Sequence, residues 1–151
     1  MNSAIIVAGG NSSRINSSTP KQFISINGKE ILNYSVTTFL KHSKINEVII
    51  VCREEWINHV KSHYKKCKII KGGKRRQDSV LNGLLSLSNN TKNVLIHDAA
   101  RPFVNKSTVS SCLLALKHAK GSAPIMGLSS SIIEYNNSKG KFLNRSSYRS
   151  V

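Results

Sequence analysis

"AIIVAGGNSSR", residues 4–14, is a short apolar run that breaks into two glycines, an asparagine, two serines and an arginine. The run is too short for a helix and apolar throughout, so it reads as a strand buried on both faces and followed by a loop. Three later stretches repeat the pattern: "EVIIVC" (47–52), "CKIIKG" (67–72) and "NVLIHD" (93–98), each stopped by a Gly, an Asp or a charged residue.

Helical periodicity fills the gaps between these runs. Leu32, Val36, Phe39 and Leu40 share one helical face, and so do Trp56, Val60, Tyr64 and Cys67. Val80, Leu81, Leu84 and Leu85 mark a third helix. Val109, Cys112, Leu113 and Leu116 mark a fourth, with Ser107 or Thr108 placed to cap its start. All four stripes read as core. Short strands alternating with helices predict an α/β fold with a mainly parallel sheet covered by helices. After Gly121 the pattern loosens, and residues 129–148 read as two extended pieces around a turn at Asn137 to Gly140, a β-ribbon standing off the sheet.

The chain has 151 residues, 39% hydrophobic and 20% charged, which predicts one folded domain spanning 1–151. Its 23 Lys+Arg against 7 Asp+Glu give a formal charge of +16, a field that attracts polyanions. Lys65, Lys66, Lys68, Lys71, Lys74, Arg75 and Arg76 form either a nucleic-acid face or a solvated surface. Aromatic residues are only 6% and do not cluster, so a basic nucleic-acid-binding module is an alternative rather than the expectation. Cys52, Cys67 and Cys112 form no C-x-x-C pair and read as small core residues in a reducing compartment. No signal-peptide pattern or membrane-length apolar run is present, so a cytoplasmic protein without a membrane partner is expected.

The loop after the first run has neither the P-loop spacing nor the G-x-G-x-x-G spacing. Gly9 and Gly10 nevertheless let the backbone approach a ligand, and successive N–H groups there can form an anion-binding nest. A plain turn is the other reading of two glycines after a strand. Arg14 adds a forked guanidinium suited to phosphate, and "TPKQF" (19–23) sets Lys21 behind a proline a few residues later. Two cations and a glycine loop then serve one site.

"AGG-x-x-x-R" with "PKQF", then "GGKRRQDSVLNGL" (72–84), then "HDAARPFV" (97–104), occur in the order and approximate spacing of the sugar-alcohol-phosphate cytidylyltransferases. The chain resembles the 2-C-methyl-D-erythritol 4-phosphate cytidylyltransferase family over residues 4 to about 148, with ribitol-5-phosphate cytidylyltransferase a close relative. The resemblance implies a three-layer αβα, Rossmann-like nucleotidyltransferase fold of the GT-A-like kind. It also implies Mg2+-assisted transfer of CMP from CTP to a polyol phosphate, methylerythritol phosphate favoured over ribitol phosphate, with release of pyrophosphate.

By the same resemblance, Ala8, Gly9 and Gly10 carry the triphosphate, and Arg14 and Lys21 stabilise the charge developing at the α-phosphorus and on the leaving group. Gly73, Lys74 and Ser79 match the stretch that cups cytosine and ribose. An Asp is common where Lys74 stands, which leaves backbone contacts there. Asp98 would hold Mg2+, with Ala99 and Arg101 near the nucleotide. Read from the residues alone, Asp98 to Pro102 is a strand-to-helix turn with a local ion pair, and His97 packs or hydrogen-bonds structurally.

Ser131 and Arg145 would contact the polyol phosphate, and residues 129–148 would form a homodimerisation arm. Ser130-Ser131 stands where the family usually shows Asp-Thr, and Asn144 replaces an Asp. The sequence stops at Val151, before the family's "TPQ" element and closing segment, so it reads as truncated. A nucleotide-binding relic without catalysis is therefore a second alternative.

Overall fold

The four apolar runs pair side by side as a parallel sheet in a computed structural model that describes residues 1–10, 19–136 and 139–150. The strands are β1 (Asn2–Ala8), β4 (Glu47–Cys52), β5 (Lys68–Lys71) and β6 (Asn93–Asp98), and their order across the sheet is β5-β4-β1-β6. Between β1 and β4 the chain forms a small hairpin, β2 (Ser25–Ile26) and β3 (Lys29–Glu30). It turns on Asn27 and Gly28, both at positive φ (52° and 73°), the combination that a two-residue loop matching strand twist requires. This hairpin goes beyond the sequence reading, although "INGK" carries its signal.

Helices follow the strands: α1 (Ile31–Leu40), α2 (Ile57–His63), α3 (Arg76–Leu85) and α4 (Lys106–Ala115). In the register of β1, Ile5 lies beside Ile49 and Ile96, while Ile6 lies beside Ile50 and His97. Alternate residues of a strand face opposite sides, so these two rows serve different helix layers. The row of Ile5, Ile49 and Val51 meets α3 at Gly83; the His97 row meets α1, where the Phe39 and His97 rings meet edge to face with centroids 5.2 Å apart. Leu32, Val36 and Phe39 of α1 are buried, as are Ile5, Ile6 and Val48 to Cys52, and each such side chain contributes about 1.5–3 kcal/mol of transfer free energy. A parallel sheet with helices on both faces is what the alternation of runs implied.

Several local expectations are corrected. On α3 the buried residues are Ser79 and Gly83, whereas Leu81, Leu84 and Leu85 are exposed. The reason is distance: a Cβ on Gly83 would sit 2.8 Å from Ile5 Cγ2 and 3.2 Å from Val51 Cγ2, so only a line of small residues fits against the sheet. Leu40, at the end of α1, is also exposed. Cys67 lies beyond α2, which stops at His63, and before β5. Helix α4 begins at Lys106, so Ser107 and Thr108 sit inside its first turn and Asn105 precedes it.

The chain divides into two units by internal contact, Met1–Ser107 and Thr108–Val151. The first holds the sheet and α1 to α3. In the second, Val109 and Leu113 of α4 are buried, and two antiparallel pairs follow. One pair joins β7 (Met126–Gly127) to β10 (Arg149–Ser150); the other joins β8 (Ile132–Asn136) to β9 (Lys139–Leu143). Lys139 and Gly140, expected in the turn, thus belong to β9.

Candidate functional site

In the first unit the chain runs from β1 outward to β4 and β5, then returns to place β6 on the other side of β1. In open α/β sheets the crevice at such a reversal, outside the carboxyl ends of the strands, is where ligands bind. Here that rim is formed by Ala8-Gly9-Gly10 after β1 and by Asp98-Ala99 after β6. The two are tied by a hydrogen bond from Ala99 N to Val7 O at 3.0 Å. Ala8 and Ala99 are buried, and Gly10 is exposed.

The rim continues across β4 and β5. Gly72 N donates to Cys52 O at 2.8 Å, which folds the chain back towards the first loop. Ser79, in the first turns of α3, is buried, and its Oγ accepts from Gly73 N at 3.1 Å and donates to Arg75 O at 3.3 Å. A Cβ on Gly9 would lie 3.5 Å from the same Oγ, so Ser79 joins the two glycine segments. Gly73 has no room for a side chain, since its Cβ would fall 2.3 Å from Asp78 Cβ and 3.1 Å from the Asp78 carbonyl carbon. Asp78 Oδ2 accepts from Arg75 N at 3.0 Å, satisfying a backbone donor at the start of α3. Hydrogen bonds from the Arg75 side chain, then from its backbone, hold the Asp78 carboxyl below its ordinary range. Lys74, next in the chain after Gly73, is exposed.

Asp98 ends β6 between two guanidinium groups. Arg76 donates to its Oδ1 through Nε (3.0 Å) and Nη2 (2.8 Å), while Arg101 Nε lies 3.6 Å from Oδ2. The local ion pair read from sequence is thus the weaker of two contacts. The closer partner, Arg76, comes from α3 and was missed. Arg101 is held through its backbone: its N donates to Asp98 O at 3.0 Å, and its O accepts from Ser35 Oγ at 3.2 Å and faces His97 Nε2 at 3.1 Å. Burial pushes the His97 imidazole below its ordinary value, against the Arg101 carbonyl bond and the Asp98 charge, so the ring is a neutral strut.

Lys21 opens a 3-10 turn, Lys21–Phe23, and the following residue, Gln22, reaches the glycine loop with its side chain. Phe23 stacks on Trp56 with ring centroids 4.3 Å apart. Arg14 lies outside the described residues. Ser131 and Arg145 belong to the second unit, where both are exposed and Arg145 Nη1 donates to Ser129 O at 2.6 Å. The structure therefore brings together Ala8, Gly9, Gly73, Ser79, Asp98, Ala99 and Arg101, and ties the Lys21 turn to them.

No group of three or more His, Cys, Asp or Glu side chains could hold a metal ion among the described residues. At the rim between β1 and β6 the carboxylate on offer is that of Asp98. Mg2+ usually takes one or two carboxylates and completes its shell with phosphate oxygens and water. Asp98 is a single hard donor of that kind, with Arg76 on its Oδ1 and Arg101 near its Oδ2.

A model of the family "IspD: 2-C-methyl-D-erythritol 4-phosphate cytidylyltransferase" matches residues 2–148. The chain belongs to this family. Its relatives include the 2-C-methyl-D-erythritol 4-phosphate cytidylyltransferases of Clostridium botulinum (strain Langeland), 46% identical over 114 residues that cover 72% of this chain and 50% of the relative, and of Clostridioides difficile (strain 630), 38% identical over 126 residues covering 80% and 53%. The chain spans about half the length of the curated relatives it matches. Among solved structures, the 4-diphosphocytidyl-2C-methyl-D-erythritol synthase of Anaerococcus prevotii superposes with a TM-score of 0.83 at 21% identity, over 99% of this chain and 66% of that one. The 2-C-methyl-D-erythritol 4-phosphate cytidylyltransferase of Thermus thermophilus gives 0.72 at 22% identity, with coverages of 99% and 66%. These two show the family's nucleotidyltransferase fold. No helix among the described residues is long and apolar enough to cross a membrane.

Proposed function

We propose that the chain binds CTP at the rim of its parallel sheet and transfers CMP to 2-C-methyl-D-erythritol 4-phosphate, releasing pyrophosphate. What supports the reading is the convergence of Gly9, Gly73, Ser79 and Asp98 on one rim in a chain of this family. The two bacterial relatives carry the methylerythritol name, which favours that acceptor over ribitol 5-phosphate.

In this reading a phosphate oxygen of the acceptor attacks the α-phosphorus of CTP. A new P–O bond forms, the bond to the β-phosphate bridge breaks, and its electron pair leaves on pyrophosphate. A phosphate monoester has a second pKa of about 6, so the nucleophile is already dianionic near neutrality and no strong general base is required. The protein's tasks are positioning and charge stabilisation. Backbone N–H groups around Ala8, Gly9 and Gly10 cradle the triphosphate, and Lys21 and Arg14 offset the charge that grows on the phosphoryl oxygens and leaving group. Gly73, Ser79 and the backbone of Lys74 flank cytosine and ribose, while Ala99 and Arg101 close the nucleotide side. Ser131 and Arg145 hold the acceptor phosphate. Asp98 would hold Mg2+, which would supply further charge neutralisation. A homodimer formed through residues 129–148 completes the reading, and the three free cysteines suit a reducing cytoplasm.

Calorimetric titration with CTP and Mg2+, followed by a pyrophosphate-release assay offering methylerythritol phosphate and ribitol phosphate in parallel, tests the proposal. Magnesium-dependent CTP binding and faster release with methylerythritol phosphate are expected. Lys21→Ala and Arg14→Ala should each weaken CTP binding about tenfold or more while leaving the circular dichroism spectrum unchanged, since each removes a charged hydrogen bond. A wild-type chain that binds no CTP overturns the reading. Binding without release identifies a nucleotide-binding chain without turnover, which the loss of carboxylates at Ser130 and Asn144 favours.

A further inference from the structure

Gln22 is 2% exposed, and its side-chain Nε2 lies 2.6 Å from Ala8 O and 3.2 Å from Gly10 O. Two carbonyl oxygens face the amide, so its NH2 end donates to both, and both of its N–H groups are used on the loop. The two carbonyls bracket Gly9. Every described peptide bond is trans, and a trans peptide sets its N–H opposite its C=O, so an Ala8 carbonyl turned towards Gln22 turns the Gly9 N–H the other way. On its other flank the turn is fixed by the Phe23–Trp56 stack, and its backbone is closed by Phe23 N to Pro20 O at 2.9 Å and Ile24 N to Lys21 O at 3.2 Å. Lys21 thus stands on a segment clamped between the glycine loop and the indole.

We propose that Gln22 is a positioning residue for the phosphate site: its amide holds the carbonyls of Ala8 and Gly10 on the protein side of the loop, leaves the intervening N–H for a phosphate oxygen, and fixes the Lys21 backbone against that loop. The assignment rests on the nucleotide reading above. It gives the buried amide a task that an apolar residue of equal volume cannot perform, because Met or Leu would withdraw the donor that Gln22 offers to both carbonyls. A carboxylate would be worse at neutral pH, setting a negative charge against both oxygens. Once protonated, it recovers one O–H donor.

The test compares wild type, Gln22→Met and Gln22→Glu by CTP titration from pH 8 to 5.5, with backbone amide exchange followed in the CTP-saturated chains, where the phosphate would protect the Gly9 N–H. Both variants should bind CTP about tenfold or more weakly at pH 8. Gln22→Glu should recover at least about threefold towards pH 5.5 relative to wild type and to Gln22→Met, as its carboxyl, raised by burial and the facing carbonyls, takes up a proton. Lys21, Glu30 and His59 are the titratable groups on and beside the turn, and they are common to all three chains, so the wild-type profile accounts for them. The Gly9 amide should exchange about tenfold faster in Gln22→Met, while Ile5 and Ile6 in the sheet stay protected as in wild type. If Gln22→Met does not fold, Gln22→Glu at pH 5.5, which keeps one donor, carries the comparison. Variants that bind CTP like wild type, or a Gln22→Glu profile parallel to wild type, overturn the assignment and leave the function standing. A wild-type chain that binds no CTP overturns the nucleotide reading and this assignment with it.

Discussion

At the scale of single residues, His97 is a hydrogen-bonded, packed group beside the candidate site. Its Nε2 is held between Ser35 Oγ (3.0 Å) and Arg101 O (3.1 Å), and burial is the main reason its proton affinity falls below the ordinary 6.5. The folded chain therefore binds that proton less readily than the unfolded chain. The stability this contributes is complete above about 6.5 and is lost as pH falls from there through the folded value. Denaturant unfolding between pH 8 and 5 should show wild type losing stability over that window, whereas His97→Gln, which retains a donor for the Arg101 carbonyl, should give a flatter profile. Equal slopes for the two chains would remove the explanation. The structural part of His97, packing and hydrogen bonding, was legible in "HDAARPFV", because a histidine inside an apolar strand has few other roles; its lowered proton affinity was not. The partner of Asp98 was not: Arg76 lies 22 residues earlier, and only the placement of α3 over the strand end brings it within 3.0 Å.

At the scale of elements, α3 owes its place to what it lacks. A helix can approach a sheet closely only where side chains are small, and the Ser79–Gly83 line lets it do so over Ile5 and Val51. Gly83→Ala should improve helix propensity by about 1 kcal/mol, yet lose about 1–3 kcal/mol overall through overpacking, because the new methyl meets Ile5 Cγ2 at 2.8 Å. Leu85→Lys, at a side chain 79% exposed, should change stability by no more than about 0.5 kcal/mol. Thermal and urea unfolding of the two variants read this contrast, and a neutral Gly83→Ala would show that α3 stands off the sheet. Hydrophobic periodicity located this helix but chose the wrong face, since a leucine stripe outweighs a serine and a glycine on any apolar scale. The parallel strands were easier to read because both of their faces are apolar and no choice of face was needed.

At the scale of the whole molecule, alternating strands and helices were enough to imply the parallel sheet, while the tight turn at Asn27-Gly28 and the β7–β10 pair, only two residues per strand, fall below what periodicity can register. For the proposed homodimer, Ile133 and Phe142 are the side chains to change: they face each other across the β8–β9 pair and are 50% and 73% exposed. Sedimentation velocity should give twice the single-chain mass for wild type, and Phe142→Lys should weaken self-association by roughly thirtyfold, the effect of losing about 2 kcal/mol at an aromatic anchor. A wild-type chain that sediments as a monomer at every concentration would rule out assembly through this pair. The order β5-β4-β1-β6 carries one more consequence, for how the molecule comes into being. Its amino-terminal strand is central and gains its second neighbour only when residues 93–98 arrive, so a nascent chain must wait through most of the first unit's synthesis before that strand is flanked on both sides. The rim made by Gly9 and Ala99 exists only after that late closure, which would make the proposed CTP ligand a reporter of completed folding and its concentration a lever on the melting temperature.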